Sequence, residues 1–119
     1  VKAGDKILLV DDNSDFRSIL NSALTDKGFV IGEAGDGQEA LEIVQREQFA
    51  MAIVDLDMPR MDGLEFTRRA KALIPKFPVI MITAYAQFHS PGEILSAGVD
   101  AFLQKPVDLA MLQRAIDSL

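Results

Sequence analysis

Five short apolar runs, each stopped by a polar residue and each followed by a helix-periodic segment, restrict this 119-residue chain more than any other feature. The first run, Lys6-Ile7-Leu8-Leu9-Val10, stops at Asp11-Asp12. Phe29 to Ala34 forms the second, weakened by Gly32 and Glu33. Ala50 to Val54 stops at Asp55, Pro78 to Ile82 at Thr83-Ala84, and Asp100 to Gln104 at Lys105-Pro106. Apolar runs of this length, bounded by turn residues, predict buried strands.

The segments between them read as helices. Asn13 or Ser14 caps the first, whose stripe holds Phe16, Ile19, Leu20, Ala23 and Leu24, and Gly28 stops it. After the turn Gly35-Asp36-Gly37, the second points Ala40, Leu41 and Val44 inward and Glu39, Glu42, Gln45 and Arg46 outward. Asp62 and Glu65 have capping-box spacing and open a third helix that buries Phe66, Ala70 and Leu73 before Pro75. Ser90-Pro91-Gly92-Glu93 opens a short fourth helix, the least secure element, which reaches Ala97 and closes at Gly98. Asp108 caps the last, with Leu109, Leu112, Ile116 and Leu119 inward.

Strand and helix alternating five times predict an α/β fold, a parallel sheet covered on both faces. Right-handed crossovers leave a doubly wound five-stranded sheet of order 2-1-3-4-5 with five helices, flavodoxin-like, as the leading topology. Its crevice lies between strands 1 and 3. A chain of this size makes one domain, 1–119, that buries over ~60% of its unfolded surface. The first residue is Val1 and Leu119 lies within an apolar-periodic segment, so a fragment of a longer chain is the expectation.

Charge and composition narrow the function. A net charge of −6 argues against direct binding of nucleic acid or anionic membrane. No apolar run approaches the ~20 residues of a membrane span. The absence of cysteine excludes disulfides and thiolate metal sites, and fits a reducing, cytoplasmic compartment.

The chemistry gathers at the strand ends. In an open α/β sheet ligands bind beyond the carboxyl ends of the strands, where strand 1 presents Asp11 and Asp12, strand 3 Asp55, strand 4 Thr83 and strand 5 Lys105. Crowded carboxylates repel one another unless they regain protons or share a cation. An all-oxygen donor set suits Mg²⁺ (or Mn²⁺), held more firmly once a phosphoryl group adds oxygens. Carboxylates are established phosphoryl acceptors. Asp55 would be the nucleophile, with Lys105 offsetting phosphoryl charge and Thr83 donating a hydrogen bond. Each residue also has a plainer reading: Asp11 and Asp12 as a helix cap, Thr83 as a strand-end hydroxyl, Lys105 as a solvated lysine. Phe102 can be core filling, and the Asp57 side chain can face solvent. His89, the single histidine, reads as an exposed loop residue.

The chain resembles a response-regulator receiver domain. The matching stretches are Ile7-Leu8-Leu9-Val10-Asp11-Asp12-Asn13, Glu33-Ala34-Gly35-Asp36-Gly37-Gln38-Glu39-Ala40-Leu41, Val54-Asp55-Leu56-Asp57-Met58-Pro59-Arg60-Met61-Asp62-Gly63, Ile82-Thr83-Ala84 and Leu103-Gln104-Lys105-Pro106. The resemblance implies that Asp55 takes phosphate from a phosphohistidine of a sensor histidine kinase or phosphotransfer protein. Asp12 would ligate Mg²⁺ directly, Asp11 mainly through water, and Asp57 through its backbone carbonyl. Thr83 and Phe102 would be switch residues, and Lys105-Pro106 a cis peptide. Phosphorylation would alter the Tyr85-to-Ser90 loop and the helix 4, strand 5, helix 5 surface, which controls an output partner or forms a homodimer. Such a domain catalyses only its own phosphorylation and dephosphorylation and is not otherwise an enzyme. Two rivals remain: a haloacid-dehalogenase-like phosphatase, suggested by Asp55-Leu56-Asp57, and a degenerate receiver that binds without phosphate.

Overall fold

The computed structural model describes residues 1–84 and 89–119. Its elements run β1 (Lys6–Val10), α1 (Ser14–Asp26), β2 (Val30–Ala34), α2 (Gly37–Arg46), β3 (Met51–Asp55), α3 (Gly63–Leu73), β4 (Val79–Thr83), α4 (Pro91–Ser96), β5 (Ala101–Gln104) and α5 (Leu109–Asp117). All neighbouring strands pair in parallel, in the order β2-β1-β3-β4-β5. This is the doubly wound sheet that the alternation predicts.

Side chains alternate across a strand, so each central strand feeds two cores. Ile7, Leu9, Met51, Ile53, Ile80 and Ile82 pack with Leu20 and Leu24 of α1 and with Leu112 and Ile116 of α5. Leu8, Val10, Ala52, Val54, Val79 and Met81 pack on the other face against Ala40 and Val44 of α2, Phe66 and Ala70 of α3 and Ile94 of α4. Burial on both faces explains why β1, β3 and β4 read as continuous apolar runs.

Capping side chains start the helices. Asn13, Asp36, Asp62, Ser90 and Asp108 each accept a backbone N–H from the first turn of their helix, which satisfies donors the helix leaves unpaired. Asp36, read as a turn residue, is thus also a cap. Three positions expected inside are outside: Ile19, Leu73 and Leu109 are 64%, 54% and 42% exposed. Leu73 is the last residue of α3 and Leu109 the first of α5, where neighbouring turns no longer cover both sides, and Ile19 lies on the solvent flank of the α1 stripe. β1 has the bounds read from the sequence; β2 and β5 start one residue later, and β3 and β4 are shifted by one residue so that they include Asp55 and Thr83.

Candidate functional site at the carboxyl ends of the strands

β1 and β3 lie side by side, with Val10 opposite Val54, so the residues that follow them meet at one rim. Asp11 and Asp55 are buried, 4% and 5% exposed, whereas Asp12 faces solvent. One carboxylate oxygen from each of Asp11, Asp12 and Asp55 lies within 4.8 Å of the others. The three carboxylates predicted to converge therefore do so. Asp57, the fourth predicted metal residue, lies outside this carboxylate group.

Lys105 comes from the far side of the sheet. Its amide donates to the Thr83 carbonyl, which continues the β4–β5 ladder, and the Lys105-Pro106 bond is cis, as expected. The ammonium reaches back to 3.0 Å from Asp11 Oδ2 and 3.8 Å from Asp55 Oδ2. Asp11 is fixed further: its Oδ1 accepts the Asn13 amide at 2.8 Å, and its carbonyl accepts from Arg17. Arg17 also donates to Glu33, whose carboxyl lies below the usual range because Asn21 and Arg17 hydrogen-bond to it.

Asp55 bears the electrostatic cost of this convergence. Burial, and next the charge of Asp11, push its carboxyl up to about 7. Lys105 and the Asp57 amide, which donates to Asp55 Oδ1 at 3.3 Å, pull it down by less. A carboxylate in that position gains from a nearby cation. The donor set, three carboxylates and no nitrogen or sulfur, fits a hard divalent ion.

The loop after Asp55 is clamped. The Gly63 amide donates to the Leu56 carbonyl at 3.0 Å. A Cβ at Gly63 would stand 2.5 Å from the Asp55 carbonyl oxygen and 2.8 Å from Met81 Sδ, so only glycine lets α3 start against the strand end. Arg60 pairs with Asp36, which ties this loop to the start of α2.

The structure also decides the Asp57 side chain, which the sequence left open. It accepts a hydrogen bond from the Thr83 hydroxyl through Oδ2, and Oδ1 lies 2.9 Å from His89 Nε2. Thr83 is fully buried. His89 is therefore half-buried and engaged, a correction to its reading as an exposed loop residue. No local spacing reveals the contact, because 32 residues separate the partners. Phe102 is half-buried; with His89, Pro91, Ile94 and Leu95 it lines an apolar groove of about 390 Å³. Residues 85–88, where part of the expected switch loop falls, lie outside the described residues.

Residues 7–117 match the response regulator receiver domain family. The chain belongs to that family. It is 32% identical over 112 residues to sporulation initiation phosphotransferase F of Bacillus subtilis, covering 94% of this chain and 90% of that protein. It is 35% identical over 111 residues to the transcriptional regulatory protein ZraR of Escherichia coli, covering 93% of this chain but 25% of that protein. The chain thus spans about a quarter of the length of several curated relatives. Among solved structures, the receiver domain of sensor histidine kinase PA1611 from Pseudomonas aeruginosa, with magnesium coordinated in its active-site cleft, superposes with a TM-score of 0.89 at 30% identity, covering 98% of this chain and 97% of that one. The phosphatase rival falls here: Asp55-Leu56-Asp57 follows the third strand of a receiver sheet.

Proposed function

We propose that this domain accepts a phosphoryl group on Asp55 from a phosphohistidine of a sensor histidine kinase or phosphotransfer protein, and that the modification switches the α4–β5–α5 surface toward an output partner. The observation that carries this reading is a buried strand-end carboxylate pushed toward neutrality, with two carboxylates and one ammonium converging on it. An Asp55 carboxylate oxygen attacks phosphorus as the P–N bond breaks. The electron pair returns to the imidazole nitrogen, which takes up a proton. Lys105 lies where it can offset charge on the phosphoryl oxygens, and Asp11 holds it there until transfer.

Asp11, Asp12 and Asp55, with the Asp57 carbonyl, would hold Mg²⁺ (or Mn²⁺). When bound, such an ion neutralises carboxylate charge and binds phosphoryl oxygens. Thr83 can donate to the modified Asp55 only by leaving Asp57. Phosphorylation then biases a two-state element, because the phosphoryl group interacts differently with the two positions of Thr83. Phe102 borders the groove beside α4 and responds by repacking. The domain turns over only its own phosphoryl group, works in the cytoplasm and serves either a fused output domain, a hybrid kinase or a separate target, with homodimerisation on activation as one outcome.

Acetyl phosphate with Mg²⁺ tests this directly by intact mass. A single phosphate on the wild type and none on Asp55→Asn are expected. An unlabelled wild type would revive the degenerate-receiver reading, and steady hydrolysis of a phosphomonoester would refute the limit to self-turnover. Superimposable unmodified and beryllofluoride-bound structures would remove the switch.

A further inference from the structure

Lys105 has a third neighbour besides its two carboxylates. Its Nζ stands over the Phe16 ring, 4.4 Å from the centroid. Phe16 lies in the first turn of α1, and the ring lines a narrow cleft with Asp11, Arg17, Asp55 and Ile82. The sequence placed Phe16 in the apolar stripe of that helix. Ring contact with the core alone does not call for an ammonium on its face.

The ring's support is unusually complete. The Phe16 amide donates to Asn13 Oδ1 at 3.0 Å, and the neighbouring Arg17 holds both the Asp11 carbonyl and Glu33. The same turn of α1 therefore fixes Asp11 and the ring together. An ammonium is attracted to the negative face of an aromatic ring, more so where water is excluded. Lys105 is 22% exposed and Asp11 6% along their side chains, so much of the solvent is gone. Carboxylates alone would draw the ammonium toward Asp11. The ring face gives it a contact that does not depend on them.

We infer that Phe16 is a positioning residue for Lys105: its ring face holds the ammonium at the crevice, ready for phosphoryl oxygens when the carboxylates that now hold it are otherwise engaged. This inference rests on the phosphoryl-acceptor reading of Asp55. It assigns a role to a residue outside the acidic cluster, and one that a leucine of similar bulk would not fulfil.

The test replaces Phe16 with mono-, di- and trifluorophenylalanine, which keep the ring's shape while draining its π face. The rate of Asp55 labelling by acetyl phosphate at saturating Mg²⁺ should fall with each fluorine. Phe16→Leu should be roughly 3- to 30-fold slower than wild type, the range expected for loss of such a contact. In a Lys105→Ala background the series should be flat. A flat series with Lys105 present would overturn the inference and leave the ring a filler. If the wild type takes no label, the functional reading fails, and NMR of the Lys105 ε-methylene protons judges the contact alone. An upfield ring-current shift in the wild type that is lost in Phe16→Leu supports it; unshifted resonances overturn it.

Discussion

The two halves of the strand-end rim are built differently. On the β1–β3 side, every residue of β3 is buried, and Asp11 and Asp55 stand on strands packed from both faces. On the far side, β4 is buried as completely as β3, but beyond it β5 has no buried residue, and within α4 the buried residue is Ile94. Crowding like charges requires walls that do not yield, since relaxation would let the carboxylates separate. Changing a surface requires an element whose local opening costs little, with few buried apolar contacts. The chain puts its charge cluster on the first kind of structure and the proposed response on the second. Two polar links join them: the Asp57 side chain, which holds Thr83 and His89 at once, and Lys105, which reaches Asp11 and Asp55.

The sharpest way to break this contrast is to move the rigid side. Gly63→Ala forces a methyl group against the Asp55 carbonyl. Misplacing the acceptor by about 1 Å should slow acetyl phosphate labelling on the order of 100-fold. A labelling rate within a few-fold of wild type would mean the wall is soft. Cavity mutants compare the halves by denaturant unfolding. Ile53→Ala, in β3, should cost roughly 4 kcal/mol, and Ile94→Ala, in α4, about 2 kcal/mol. Equal costs would erase the distinction.

A third experiment reads the charge on the rigid side. The folded value of Asp55, about 7, lies above its ordinary 3.8. Folding therefore favours the protonated form, and the wild type loses stability as pH rises from about 4 to about 7, with no further loss above. Asp55→Asn lacks this loss. Its advantage should grow across that window to roughly 1–3 kcal/mol, after discounting for the solvent that still reaches the site. Mg²⁺ should narrow the gap in chemical-denaturation curves, and an advantage that shrinks with rising pH would reverse the assignment. The smallest effect in energy belongs to the soft side. His89→Ala should change global stability by no more than about 0.5 kcal/mol, yet speed amide hydrogen exchange at Ile94 to Ala97. Unchanged exchange there would cut His89 out of the link.

Much of the site was legible because the fold itself gathers it. Once five parallel strands are inferred, the residues that end them must share a rim, so Asp11, Asp12, Asp55, Thr83 and Lys105 could be named before any coordinates. The misses have a common cause. Ile19, Leu73 and Leu109 satisfy helical periodicity, but no segment distant in the chain packs over them enough to bury them. His89 and the Asp57 side chain meet across a loop, and Phe16 meets Lys105 across the crevice, at separations without any periodic signal. Gly63 was visible as turn punctuation, while its contact with the Asp55 carbonyl was not.

By itself, the order of residues determined the strand-helix alternation, the topology and the identities of the groups at the rim, because hydrophobic periodicity and capping act over a few neighbouring positions. Tertiary structure alone decided which way Asp57 points, what His89 holds, which ring lies beneath Lys105, and how far burial raises Asp55. Those outcomes depend on packing and on distances of a few ångströms between segments far apart in the chain, where Coulomb and hydrogen-bond energies change steeply with position.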